Sequence, residues 1–97
     1  MPKMCDEMVK LREWLKEHGI DYLDASITYD ERFYCHRTKF TIGWNDFSVI
    51  NGVGTYGGSV DVGFRNMGLL EMRVNNEEPV GCLRSDEVID RVKRYLK

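Results

Sequence analysis

The chain lacks any run of apolar residues approaching the roughly 18–20 that a membrane-spanning helix needs, and its first residues are charged and helix-like where a secretory signal would be apolar. A cytoplasmic setting is the expectation. Proline is confined to Pro2 and Pro79, so regular structure is free to run almost unbroken. Cysteine is scarce: Cys5, Cys35 and Cys82 are odd in number and form no Cys-x-x-Cys pair, which excludes a disulfide framework and the commoner zinc spacings. Three free thiols in or near the core are expected. Nor is there a surplus of positive charge, with 14 basic against 16 acidic residues, a net charge of −2 and a pI near 5.6. Non-specific nucleic-acid binding, which needs a basic face, is therefore disfavoured.

What is present is enough for one domain of 97 residues, 42% hydrophobic and 11% aromatic. A chain of this size buries about 60–65% of its unfolded surface and can hold a modest core without a metal or disulfides. Residues 3–18 read as a helix, because Met4, Met8, Leu11 and Leu15 make one apolar stripe with Cys5 and Trp14 beside it. Pro2 suits its first turn, Asp6 and Glu7 its positive end, His18 its negative end, and Gly19 its stop. Residues 20–31 are acidic and poorly patterned, an irregular connection with a short edge strand at 27–29.

From residue 32 the period becomes two. Tyr34, Thr38, Phe40 and Ile42 share one face of a strand, and Phe33, Cys35, Arg37 and Lys39 the other. A turn at residues 43–46 returns the chain as a hairpin strand over 47–53. Further strands are expected at 59–64, 69–74 and 80–83, separated by turns at 66–68 and 75–79. Ser85 is placed as the N-cap of a last helix, with Asp86 and Glu87 in its first turn and Val88, Ile89, Val92, Tyr95 and Leu96 at helical spacing. The fold class is α+β: an N-terminal helix, a four- to five-stranded antiparallel meander and a C-terminal helix, both helices on one face of the sheet.

The most distinctive stretch is Gly52-Val53-Gly54-Thr55-Tyr56-Gly57, with the spacing of a dinucleotide site. That chemistry needs a helix to begin at the third glycine, so that its amides meet a pyrophosphate. Here Gly58-Ser59-Val60-Asp61-Val62-Gly63 continues with period two and poor helix formers, and the chain has no room for a parallel crossover unit. An inter-strand connection is the better reading, and a loop contacting a partner or ligand through Tyr56 the sharper one.

Cys35, His36, Cys82 and His18 suggest a zinc set, but adjacent strand residues point to opposite faces, so Cys35 and His36 cannot readily share an ion or act as a nucleophile–base pair. Core thiols with a solvent-facing histidine are expected, and no cofactor or metal. The adjacent acids Asp6/Glu7, Glu77/Glu78 and Asp86/Glu87 serve helix ends and a turn, not hydrolysis. Trp44, in a tight turn, either folds back onto the sheet or is offered to a partner. Arg32, Arg37, Lys39, Arg65 and Arg73 lie on the sheet region; a solvated face is the plainer account and a polyanion-binding surface the sharper.

Several stretches together resemble small bacteriophage- and prophage-encoded proteins of gut bacteria, a group with no assigned activity. They are Leu11-Arg12-Glu13-Trp14-Leu15 with His18-Gly19-Ile20, Cys35-His36-Arg37-Thr38, Phe47-Ser48-Val49-Ile50-Asn51-Gly52, Gly54-Thr55-Tyr56-Gly57-Gly58, Gly68-Leu69-Leu70-Glu71 and Glu78-Pro79-Val80-Gly81. The resemblance implies origin in a mobile element and supplies no active-site residues. It makes a non-enzymatic accessory protein the leading expectation, docking on a host protein and inhibiting a defence system such as CRISPR. Trp44, Gly54, Thr55, Tyr56, Gly57, Arg37 and Arg65 are the expected contact residues. A sponge or sensor for a nucleotide-like anion, held by loop amides around Tyr56, is the alternative, and a virion-associated structural module the third reading. An uncovered sheet edge or face would favour a homodimer.

Overall fold

A computed structural model describes residues 3–28, 34–52, 55 and 68–96 of the chain. It contains helix α1 (Asp6–Glu17), strands β1 (Tyr22–Asp24), β2 (Ile27–Thr28), β3 (Tyr34–Ile42), β4 (Asn45–Gly52), β5 (Leu70–Val74) and β6 (Val80–Leu83), and helix α2 (Ser85–Lys93). The strands form one antiparallel sheet in the order β1-β3-β4-β5-β6, with β2 also paired to β3. Both helices pack on the same face, as the alternation of the strands requires. The expected strand at 59–64 and residues 66–67 of the turn expected at 66–68 lie outside the described residues.

Helix α1 buries Met8, Leu11 and Leu15 completely, and they meet Phe40, Phe47, Val49, Leu70 and Met72 from the sheet. Val88 and Val92 of α2 close the core from the other end. Phe40 and Phe47 are cross-strand partners with parallel rings 4.9 Å apart, and Tyr95, in the turn after α2, meets Phe47 edge-on at 5.0 Å. Such aromatic pairs add about 0.5–1.5 kcal/mol beyond the area they bury. The helix starts three residues later than its stripe suggests, at Asp6, and leaves through Gly19 with Gly19 N–H on the Lys16 carbonyl and Ile20 N–H on the Leu15 carbonyl.

Ser85 is not the N-cap of α2. It stands inside the first turn, and its N–H and hydroxyl both donate to Glu7 Oε1, at 2.8 and 3.1 Å. The acid at the start of α1 thus supplies the negative group at the positive end of α2. Glu87 closes that end from within, accepting the Arg84 N–H at 3.1 Å. The helix ends at Lys93, short of the chain end expected for it.

The connection read as irregular contains an edge strand in two pieces. β1 pairs Tyr22 with Phe40 and Asp24 with Thr38, and β2 resumes with Ile27 opposite Cys35, in the same register. Between them Ala25 N–H still donates to the Arg37 carbonyl, but the Arg37 N–H turns to the Ser26 hydroxyl. Arg12 of α1 fills the break, its Nη2 bonding Asp24 Oδ1 and the Arg37 carbonyl. An edge interrupted in this way is a poor template for pairing with another chain.

Candidate functional site

The β3–β4 hairpin is closed by the pair Ile42/Asn45, leaving Gly43-Trp44 as a two-residue loop. Gly43 has φ +62°, while Trp44 is absent from the positive-φ residues, the pattern of a type II′ turn. So tight a loop has no slack to fold its second residue back. Trp44 is 98% exposed, so the ring does not fold back onto the sheet.

Behind the tip lies the sheet face that the helices leave uncovered. The register brings Leu23, Lys39, Ser48 and Arg73 into one row across four strands, and Arg37, Ile50 and Glu71 into the next. At about 3.3 Å per residue the first row lies about 10 Å from the turn, so tip and face are one continuous surface. An open depression of about 660 Å³ runs over it, lined among others by Leu23, Arg37, Lys39, Ser48, Arg73 and Asn76. Three of the cations noted in the sequence therefore share a face. The ion pairs among the described residues are Glu7–Lys10 and Arg12–Asp24, so Arg37, Lys39 and Arg73 join none there. Arg73 Nε donates to the Glu77 carbonyl at 3.0 Å, which anchors the head at the rim. Arg37 Nε is out of solvent and meets no acceptor among the described residues.

Thr55 is half-buried and closes the end of β4: its hydroxyl donates to the Gly52 carbonyl at 2.8 Å and accepts the Gly52 N–H at 3.1 Å. It serves the backbone of its own turn. Gly54, Tyr56, Gly57 and Arg65, and likewise Arg32, lie outside the described residues.

The histidine expected to face solvent does not. His36 shares the inner face with Tyr34, Thr38 and Phe40, is buried, and sets its ring 5.2 Å from that of Tyr34. Cys35 takes the opposite face, as adjacent strand residues must. Burial raises its pKa, with Arg37 opposing and Glu71 adding to the effect, so the group is a neutral thiol. Cys82 is exposed at the edge strand β6, with φ +57°, and is no core thiol. Among the described residues no group of three or more His, Cys, Asp or Glu side chains stands close enough to hold a metal ion, and no helix is long and apolar enough to cross a membrane.

Among the residues of this face that sequence reasoning did not single out are Leu23 and Ser48. Leu23 belongs to a strand with no alternation to betray it, and Ser48 gains meaning only from the register that sets Lys39 and Arg73 on either side. No protein-family model matches the chain, and neither a curated protein nor a solved structure shows significant similarity to it.

Proposed function

We propose that this chain is a non-enzymatic binding domain that docks on a partner protein through the tip of the β3–β4 hairpin, with Trp44 as its anchor. The observation that carries the reading is the exposure of Trp44. The turn requires glycine at its first position and makes no demand for an aromatic at its second. The core does not use the ring either, so the fold supplies no reason for a tryptophan here. Burying a ring of this size in a partner would release roughly 4–6 kcal/mol of apolar transfer free energy. The tip is also rigid: eight residue pairs join β3 to β4 and the Phe40–Phe47 stack stands two pairs behind the closing pair. An anchor held in place before contact loses little entropy on docking.

The resemblance to phage-encoded proteins makes a bacterial host protein the partner to try first, and a protein of a defence system the specific form. Affinity capture from bacterial lysate tests it, comparing the native chain with Trp44→Ala and with Lys16→Ala as a surface control. The expected result is a partner retained by the native chain and by Lys16→Ala and lost with Trp44→Ala, confirmed by titration of the two purified proteins. Equal recovery by all three would overturn the assignment.

A further inference from the structure

We infer that the uncovered sheet face beside the hairpin is a binding site for an acidic, extended polypeptide segment, held by Arg37, Lys39 and Arg73 around Ser48. This rests on the reading of the chain as a protein-binding domain and names what one part of its surface takes. Lys39 and Arg73 flank Ser48 on the two neighbouring strands, about 10 Å apart, and Arg37 lies two residues along β3 on the same face. Three like charges this close repel one another, and none is neutralised by an ion pair among the described residues. Carboxylates laid between them would relieve that repulsion. The Arg37 Nε is out of solvent and meets no acceptor among the described residues, so less hydration has to be removed from this guanidinium on binding.

Other occupants fit less well. A second copy docked through the same face would set cations against cations. Single-stranded nucleic acid is held on open sheets by aromatic rings that stack on bases; here the described residues beside the charges are Leu23, Cys35 and Ile50, and the exposed ring of Trp44 stands apart at the hairpin tip. Leu23 is 63% exposed and Ile50 half-buried, so apolar contacts interleave with cationic ones. A segment alternating acidic and apolar side chains matches that order. Asp46 lies one step from Ser48 toward the turn, and Glu71 stands two strands from Arg37 in the same row, so acids border the cationic zone and limit the segment to a few residues.

The test is fluorescence anisotropy with a labelled peptide of alternating Glu and Leu, its Lys and Leu counterpart, and an oligothymidylate. The Glu peptide should bind, weaken as salt rises, and exceed the Lys peptide and the oligonucleotide. Arg37→Ala/Lys39→Ala/Arg73→Ala should weaken it at least about tenfold. Ser48→Glu, which removes no cation but sets a fixed acid among them, should do the same. Unfolding of the triple variant would leave Ser48→Glu to decide. Undiminished binding by a folded variant, or preference for the oligonucleotide or the Lys peptide, overturns the site. Because these titrations do not use Trp44, their failure beside a Trp44-dependent capture removes the site alone, and loss of the capture alone removes only the hairpin reading.

Discussion

Arg12 Nε donates a 2.7 Å hydrogen bond to the hydroxyl of Thr38, a fully buried residue of β3, so one cation on α1 reaches into the middle of the sheet. The same guanidinium binds the Arg37 carbonyl and Asp24, and lies 5.1 Å over the ring of Tyr22. It thereby ties α1 to the point where β1 gives way to β2, adding a second donor to the Arg37 carbonyl beside the Ala25 N–H. Arg12→Met should keep much of the stem packing but take the donor from the buried Thr38 hydroxyl and the cation from Asp24, at a cost of roughly 2–3 kcal/mol. For a domain of this size that lowers the melting temperature by about 10–20 °C, measured by far-ultraviolet circular dichroism. Arg12→Lys should not restore it, since a single ammonium cannot bond three acceptors set for a planar fork. A fall under about 3 °C would show that the network contributes little.

Two carboxylates make stability depend on acid. Hydrogen bonds from Arg12 and then Ser26 hold Asp24 well below the usual carboxylate range. Glu7 is lowered chiefly by the Ser85 N–H, against its own desolvation. A group whose folded pKa is depressed contributes stability above its unfolded value, about 3.9 for Asp and 4.3 for Glu, and loses it as pH falls through the folded one. Urea midpoints should therefore be insensitive to these groups from pH 7 to 5 and decline from about pH 4 downward. Asp24→Asn and Glu7→Gln, which keep an acceptor but do not titrate, should each flatten the decline. The thiols act with the opposite sign. Burial raises Cys5 and Cys35, so their contribution is complete below about 8.5, the unfolded value, and is lost as pH rises further.

Much of this architecture is legible in the residues, and the exceptions share a cause. The stripe of α1, the alternation of β3 and β5 and the order of elements follow from local periodicity, because each element buries one face of its own. Tyr22-Leu23-Asp24 buries none; all three are exposed, and the strand exists through its register with β3 and through Arg12. His36 is expected in solvent opposite a core Cys35, yet its parity with Thr38 and Phe40 sets it inward. Ser85 has the composition of a cap, but the partner that matters, Glu7, is 78 residues away. The cationic row is of the same kind: Arg37 and Lys39 share a face by parity, whereas Arg73 joins them only through the pairing of β5 with β4.

Trp44→Ala should leave folding stability unchanged within about 0.5 kcal/mol, because the ring is almost wholly in water and no apolar contact is lost. Coincident urea curves for the two proteins are the expected result. That separates a docking role from a structural one, since any loss of partner binding then comes from a folded molecule. A destabilisation above about 1 kcal/mol would mean that the ring packs against the chain.

Gly52, where β4 ends opposite Cys35, has no room for a side chain. A Cβ there would overlap the Tyr34 carbonyl oxygen and stand 2.7 Å from Cys35 Cα, both backbone atoms of the neighbouring strand. Flexible side chains yield to such an intrusion; a paired strand yields only by shifting its ladder. Gly52→Ala should therefore destabilise by about 1–3 kcal/mol, the range for forcing extra volume into a packed site. The comparison that isolates the cause is Gly43→Ala, where nothing lies near the added carbon and the penalty comes from the left-handed backbone alone, about 1 kcal/mol. Gly52→Ala should also loosen the Cys35 end of β3, seen as faster amide exchange at Tyr34 and Cys35 than at Phe40. If exchange quickened equally along the strand, the close approach at Gly52 would not be what fixes this corner of the sheet.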